Sequence, residues 1–287
     1  MIVKNISRLR KIISSVPNKF IYFVPTMGNL HDGHLHLIKH AIEKKQFLVV
    51  SIYINPLQFN SKLDYKKYPR TLKRDLEILK KLKADVIFLP DDNFSKDNIS
   101  KVSLGKITYK LCGADRPGHF SGVATIILKF LNIIQPDFLV LGKKDYQQIL
   151  VIKQVIKDFF FKTKVVEMQT IRDKDGLALS SRNKLIPRKK KHVSKNIFLT
   201  LKSISREIRM NGLVKSKLEF YKNSITESGI DKVNYLEILK ECDLSELGKK
   251  PAYARIFISV SISGIKLIDN LRISKKVTFR SGKFLLF

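Results

Sequence analysis

Phe20-Ile21-Tyr22-Phe23-Val24-Pro25-Thr26-Met27-Gly28-Asn29-Leu30-His31-Asp32-Gly33-His34, residues 20–34, decides how the rest of the chain is read. Residues 20–24 form a short apolar run of aromatic and β-branched side chains, the pattern of a strand buried on both faces. A turn follows, in which Gly28 and Gly33 permit backbone conformations that a Cβ disfavours. Over residues 35–45 apolar side chains return at helical spacing. Similar strand-like runs lie at 47–54, 85–89, 138–141 and 165–171, and helical patterns at 71–83, 122–134 and 145–159. In the first of these helices the spacing puts Leu72, Leu76 and Leu79 on one buried face, with Asp75 at its edge. Strand and helix alternate, which predicts an α/β fold built on a doubly wound parallel sheet. Ligands of such sheets bind beyond the carboxyl ends of the strands, so chemistry is expected at residues 25–34, 55–59 and 142–145.

The pattern changes after Asn183. Pro187 and the run Arg188-Lys189-Lys190-Lys191 mark a boundary near residues 184–190, giving domains 1–184 and 185–287. The basic run reads as a solvated helix start. Beyond it Val193, Ile197, Leu201, Ile204 and Ile208 have helical spacing, and Asn211-Gly212 is a stop signal. Strand-like runs at 233–239, 254–262 and 266–273 complete a smaller α+β domain. No internal repeat is visible.

Composition narrows the class. Of the 287 residues 44% are hydrophobic, yet every long apolar stretch is broken by Lys, Asn or Asp, so none spans a bilayer. The first residues lack an apolar run ahead of a small-residue cleavage site, and a soluble, cytoplasmic protein is expected. Cys112 and Cys242 are too few for a disulfide framework or a zinc site. The formal charge of +30 suggests a polyanionic partner at first sight. Its Lys residues, however, are spread along the chain, whereas nucleic-acid binders cluster charge, mix in Arg and interleave aromatics. Nucleic acid is therefore not the expected partner.

Four of the six histidines lie within residues 31–40. His31 and His34 are three apart at the start of the predicted helix and share its first turn. Helix N-termini attract anions through unpaired N–H groups and the dipole, and two imidazoles there donate to phosphate oxygens as charge develops. A metal site or a structural turn is the competing reading. His36 and His40, in the helix body, are weaker candidates. Neither GxxxxGK[ST] nor GxGxxG occurs. A second polar segment, residues 172–183, carries Ser180, Ser181 and Arg182, whose hydroxyls, backbone N–H groups and guanidinium are good phosphate ligands. HxGH nucleotidyltransferases use two such elements, one on each side of a triphosphate.

In this light the chain resembles the pantothenate synthetase family, the AMP-forming pantoate-β-alanine ligases. The matching stretches are PTMGNLHDGH at 25–34, INPLQF at 54–59, YPRTLKRDL at 68–76, GADRPGHFSGV at 113–123, GKKDYQQ at 142–148, DGLALSSRN at 175–183 and LIDN at 267–270. They occur in family order. The resemblance implies a Rossmann-like domain followed by a smaller α+β domain, and a two-step reaction. The carboxylate of (R)-pantoate attacks the α-phosphate of Mg2+-bound ATP, and the amine of β-alanine then displaces AMP from pantoyl adenylate.

Residue by residue, the resemblance implies catalytic roles for His34, His31 and Lys144. Proton donation and charge stabilisation are not separable for His34 from sequence. The implied ATP site comprises Met27, Gly28, Asn29, Leu30, His31, Asp32, Gly33, His34, Gly142, Lys143, Lys144, Asp145, Ile171, Leu179, Ser180, Ser181 and Arg182. Pantoate falls to Gln58, Gln148, Thr26 and Met27, and β-alanine to Gln58, since an amide both donates to a carboxylate and accepts from a hydroxyl. Arg116 and His119, in a glycine-rich loop, are implied to close over the substrate. Asp145 either binds ribose hydroxyls or caps its helix, and Asp75 either points to the site or is a surface carboxylate. Metal ligands are not specified, and a homodimer is implied.

Three positions depart from the family pattern. Asp32 and Leu179 replace Glu and Met with charge or volume kept. Lys143 replaces a Glu, and either tightens ATP or faces solvent. The rival readings are another HxGH nucleotidyltransferase acting on a phosphorylated metabolite, and a basic RNA-binding protein without catalysis.

Overall fold

The computed structural model of the chain describes residues 1–91, 93–96 and 99–287. The chain divides into two compact units. The first comprises residues 1–108, 116–143 and 148–171, and the second 109–115, 144–147 and 172–287. The change of unit at residue 172 comes before the Asn183–Pro187 stretch where composition shifts, and two short segments earlier in the chain belong to the second unit.

The first unit holds a six-stranded parallel sheet: β1 (Ile2–Val3), β2 (Ile21–Thr26), β3 (Phe47–Ile52), β4 (Val86–Phe88), β5 (Phe138–Gly142) and β6 (Lys164–Met168). Their spatial order is β1-β4-β3-β2-β5-β6. Neighbours pair in parallel throughout, as the near-continuous apolar strands require. The helices are α1 (Ile6–Ser14), α2 (Asp32–Glu43), α3 (Lys62–Lys67), α4 (Leu72–Lys81), α5 (Asn93–Lys96), α6 (Leu111–Asp115), α7 (His119–Ile134) and α8 (Tyr146–Asp158); of these α6 and the first two residues of α8 belong to the second unit. Two apolar cores, one around Phe23, Phe88 and Leu131 and the other around Val24, Ile38 and Leu79, enclose the sheet. From β2 the chain runs outward through β3 to β4 on one side, and β5 and β6 lie on the other. The order therefore reverses between the adjacent strands β2 and β5, the crevice where such sheets bind ligands.

The predicted elements all exist, with shifted ends. Helix α2 begins at Asp32 rather than 35 because His31 caps it, and α7 begins at His119 rather than 122 behind Gly118, whose φ is +81°. In α4 the buried positions are Asp75 and Leu79, whereas Leu72 is 48% exposed. The hydrophobic face predicted from the three leucines is thus rotated, and a carboxylate occupies its centre.

The second unit carries α9 (Lys195–Met210) and α10 (Lys217–Glu227) beside a five-stranded antiparallel sheet of β7 (Leu213–Val214), β8 (Lys232–Lys240), β9 (Ala252–Ile262), β10 (Ile265–Arg280) and β11 (Lys283–Leu286). The order is β7-β11-β10-β9-β8. The basic run lies in a 3-10 turn leading into α9. The expected α9 stripe is buried, from Val193 to Ile208, in one core with Ile256, Ile258 and Ile273. Helices α1, α3, α5, α6 and α10 and the short strands β1, β7 and β11 are additions that periodicity did not single out. Two-residue strands are too short to show a period.

Candidate active site

Strands β2 and β3 end level, with Thr26 opposite Ile52, and the chain leaves β2 into a tight left-handed turn. Gly28 has φ +76° and Asn29 φ +49°. A Cβ on Gly28 would stand 3.1 Å from Asp75 Oδ2 and 3.2 Å from Ile52 Cγ2, so the turn needs glycine for both its dihedral and its clearance. Asp75, only 1% exposed, accepts from the backbone N–H of Asn29 at 2.8 Å and of Leu30 at 2.9 Å, and from the Thr71 hydroxyl at 2.9 Å. Arg74 of the same helix donates to the Leu30 carbonyl at 3.3 Å. Of the two readings left by sequence, the surface carboxylate fails, and Asp75 faces the turn of the candidate site. It is the post that holds the turn ahead of the two histidines. The Thr26 hydroxyl donates to the Ser51 carbonyl at 2.7 Å and receives Gly28 N–H at 3.3 Å, so it also shapes this turn.

His31 is the N-cap of α2 and His34 its third residue, and each side chain accepts from the other's end of the turn. His31 Nδ1 receives Gly33 N–H at 3.1 Å, and His34 Nδ1 receives His31 N–H at 3.4 Å. A neutral imidazole that accepts at Nδ1 carries its proton on Nε2. Both rings thereby become Nε2–H donors, 4.0 Å apart between centroids and tilted by 34°, at the positive end of a twelve-residue helix. Gly33 supplies one of the cap hydrogen bonds from its backbone.

Gln58 lies in a 3-10 turn, Pro56–Gln58, that follows β3. Asn55, buried, caps this turn through Leu57 N–H at 3.0 Å and donates to Gln58 Oε1 at 3.0 Å and to the Gly122 carbonyl at 3.1 Å. Gln58 Nε2 reaches Met27 Sδ at 2.9 Å. Its carbonyl accepts from His119 Nδ1–H at 2.7 Å and Arg116 Nη2 at 3.4 Å. His119 is therefore not in a loop above the substrate. It is the buried first residue of α7, and with Arg116 it grips the backbone of Gln58. Gln148 is half-buried on α8.

Beyond β5, residues Lys143–Asp145 form a 3-10 turn. Lys143 Nζ lies 3.9 Å from Glu167 Oε2, so the lysine that departs from the family pattern meets a carboxylate on β6. Within the second unit, Lys144 Nζ is 3.7 Å from Asp145 Oδ1. There too Ser180 Oγ caps the turn Ser181–Leu185 by accepting Arg182 N–H at 3.2 Å, while Asn183 donates to the Ala178 carbonyl at 3.0 Å. Ser181 is buried, whereas Ile171 in the first unit and Leu179 in the second are half-buried.

The sequence model of the pantoate-beta-alanine ligase family matches residues 1–272. The chain belongs to this family. It is 36% identical over 281 residues to the pantothenate synthetase of Hydrogenovibrio crunogenus, covering 96% of this chain and 99% of that protein. It is 38% identical over 283 residues to that of Buchnera aphidicola subsp. Schizaphis graminum, covering 95% and 98%. The pantothenate synthetase of Thermus thermophilus superposes with a TM-score of 0.87 at 34% identity, over 95% of this chain and 99% of the other. The Francisella tularensis ligase, solved in complex with β-γ ATP and β-alanine, gives 0.81 at 38% identity over 96% and 98%. The chain is accordingly a ligase that joins pantoate to β-alanine using ATP. Among the described residues no helix is long and apolar enough to cross a membrane.

Sequence reasoning passed over Asn55 as a site residue and left Asp75 undecided. The Asn-Pro pair after a strand signalled the first, as a cap with a preset φ behind it. Asp75 lay on the buried side of a helix next to Leu79, and an unexplained acid there asks for a partner.

Proposed function

We propose that the reaction runs through pantoyl adenylate, with His31 and His34 donating Nε2–H to the phosphate oxygens while the carboxylate of (R)-pantoate attacks the α-phosphate of Mg2+-bound ATP. The mutual capping of the two histidines carries this reading. It spends both Nδ1 atoms on backbone N–H groups, and so selects the donor tautomer at a helix N-terminus. Pyrophosphate leaves, the β-alanine amine attacks the acyl carbon, and AMP departs. A carboxylate alone is a poor acyl donor, which is why an adenylate is needed. Gln58 and Gln148 bind pantoate, Gln58 also serves β-alanine, and the Met27 side chain held against Gln58 forms part of the same wall. Lys144, Ser180, Ser181 and Arg182 bind phosphate.

The donor set suits a metal that arrives on the nucleotide. Among the described residues no three His, Cys, Asp or Glu stand together, and Mg2+ typically needs only one or two carboxylates beside substrate phosphates. We assign the reaction to the cytoplasm, where ATP-dependent biosynthesis takes place, and a homodimer as the working assembly, to be checked by light scattering.

Pyrophosphate exchange into ATP is the decisive assay. Exchange should require both pantoate and Mg2+, and His34→Ala should lower it by about a hundredfold or more. Exchange supported equally by a phosphate-ester acceptor, or near-normal rates in the His34→Ala protein, would overturn the assignment.

A further inference from the structure

Strand β10 carries two consecutive buried polar residues, Asp269 and Asn270, 3% and 5% exposed, in a strand whose neighbouring Leu267 is core. Consecutive strand residues project to opposite faces, so the pair reaches in two directions. Asp269 receives Arg172 in a two-pronged contact, one prong of 2.9 Å from Nη2, and the same guanidinium donates to the Gly176 carbonyl at 3.1 Å and lies 3.8 Å over the Phe198 ring. Arg172 and Ala178 form a β-bridge, so this contact closes the hairpin immediately before Ser180, Ser181 and Arg182. Asn270 works on the other phosphate-binding segment of the same unit. Its Nδ2 donates to the Lys144 carbonyl at 2.8 Å, and its Oδ1 accepts Arg255 Nη1 at 2.6 Å.

Arg255, 5% exposed, completes the second grip. Its Nη2 meets Glu241 Oε1 at 2.5 Å, and its guanidinium stacks 4.0 Å over the ring of Tyr146, whose hydroxyl donates to the Glu241 carbonyl at 3.2 Å. Segment 144–146 is thus held by its backbone and by its aromatic ring, while the Lys144 ammonium takes no part in this grip and lies 3.7 Å from Asp145 Oδ1. A charged, hydrogen-bonded network of this kind is no efficient way to stabilise a small sheet, because apolar side chains of equal volume do as well or better. Two of its bonds instead end on backbone carbonyls of functional segments, Lys144 itself and Gly176 in the hairpin that leads into the Ser180–Arg182 turn.

We infer that Asp269 and Asn270 are positioning residues for ATP, setting the Lys144 segment and the Ser180–Ser181–Arg182 turn in fixed geometry from one strand. This rests on the proposed ATP-binding roles of those segments. The Asn270→Asp variant targets the contact, since it keeps an acceptor for Arg255 and removes the donor to the Lys144 carbonyl.

The test is pantoate-dependent pyrophosphate exchange with the full-length chain, measuring KM separately for ATP and pantoate, with circular dichroism and melting to confirm folding. Asn270→Asp should raise KM for ATP by about tenfold, a displaced contact group being worth up to about a hundredfold, and leave KM for pantoate within about twofold. Lys144→Ala should also raise KM for ATP, and adding Asn270→Asp to it should do little more, because the two changes disable one contact. A folded Asn270→Asp protein with wild-type KM for ATP, beside an impaired Lys144→Ala protein, would overturn the inference alone. So would additive effects in the double variant. An unimpaired Lys144→Ala protein would overturn the assignment of Lys144 and the inference with it. Should Asn270→Asp fail to fold, Tyr146→Phe, which removes the hydroxyl bond to Glu241 and keeps the ring, decides in the same way, with about a threefold rise in KM for ATP expected and no rise overturning the inference.

Discussion

Asp75 and the two histidines form a short chain of dependence in which no member touches the next through a side chain alone. The carboxylate binds two backbone N–H groups of the turn Gly28–Leu30, and the turn delivers His31 to the cap position of α2. Asp75→Asn puts an NH2 group against one of those donors. Unfolding free energy should drop by about 2 kcal/mol, the cost of stranding a buried donor. Exchange activity should fall as well, since the cap loses its fixed approach. Urea titration together with the exchange rate checks this, and a stable but inactive variant would show that the turn does not depend on the carboxylate for its stability. Gly28→Ala should behave similarly through backbone strain, because its φ of +76° is unfavourable for alanine and its Cβ would press on Asp75.

Two contacts between elements have measurable consequences. Helix α7 passes so close to the Pro56–Gln58 turn that a Cβ on Gly122 would fall 2.1 Å from the Leu57 carbonyl oxygen and 2.7 Å from Gln58 N. Gly122→Ala must push the two apart, at a cost of about 3 kcal/mol. Because the displaced turn carries Gln58, KM for pantoate should rise more than KM for ATP; equal changes would argue against a pantoate role for Gln58. In the second unit, α9 and α10 are joined at Glu207. Burial pushes its carboxyl up, but hydrogen bonds from Lys217 and Tyr221 outweigh this and hold it below the ordinary value of 4.5. A carboxyl depressed in the folded state stabilises fully above its unfolded pKa and loses that contribution as pH falls through its lower folded value. Glu207→Gln should therefore lower Tm at pH 7, and the difference from wild type should shrink on acidification below pH 4.5. A gap that stays constant with pH would rule out the ion pair as its source.

At the scale of the molecule the formal charge of +30 is carried largely by solvated lysines, many of them in pairs or runs such as Arg188–Lys191. This field attracts polyanions without reading them. Single-stranded RNA should bind weakly at low salt, lose at least about tenfold in affinity between 50 and 200 mM salt, and bind the His34→Ala protein equally well. Fluorescence anisotropy measures all three. Affinity that ignored salt, or vanished with His34, would mean that the catalytic site itself recognises RNA.

Much of the fold was legible because it depends on local pattern. The short apolar, β-rich runs at β2, β3 and β5 read as doubly buried strands, their alternation with helices pointed to a parallel sheet, and the stripe from Val193 to Ile208 marked α9 by spacing. The position of the HxGH segment at the start of a helix was equally plain, since an apolar strand, two glycines and a helical period bracket it. Side-chain partners far apart in sequence were not legible. Asp75 reaches back over forty positions to Asn29, His119 reaches Gln58, and Asn270 reaches Lys144. Such contacts leave no period and no spacing in the chain, and a buried carboxylate looks the same in sequence as one in water. Sequence by itself determined the long strands of both sheets, the turn proposed to receive phosphate and the family that the motifs resemble. Only the tertiary structure decided which polar residues hold those segments in place, because that choice is made by packing between elements, where desolvation drives most buried polar groups to find a partner.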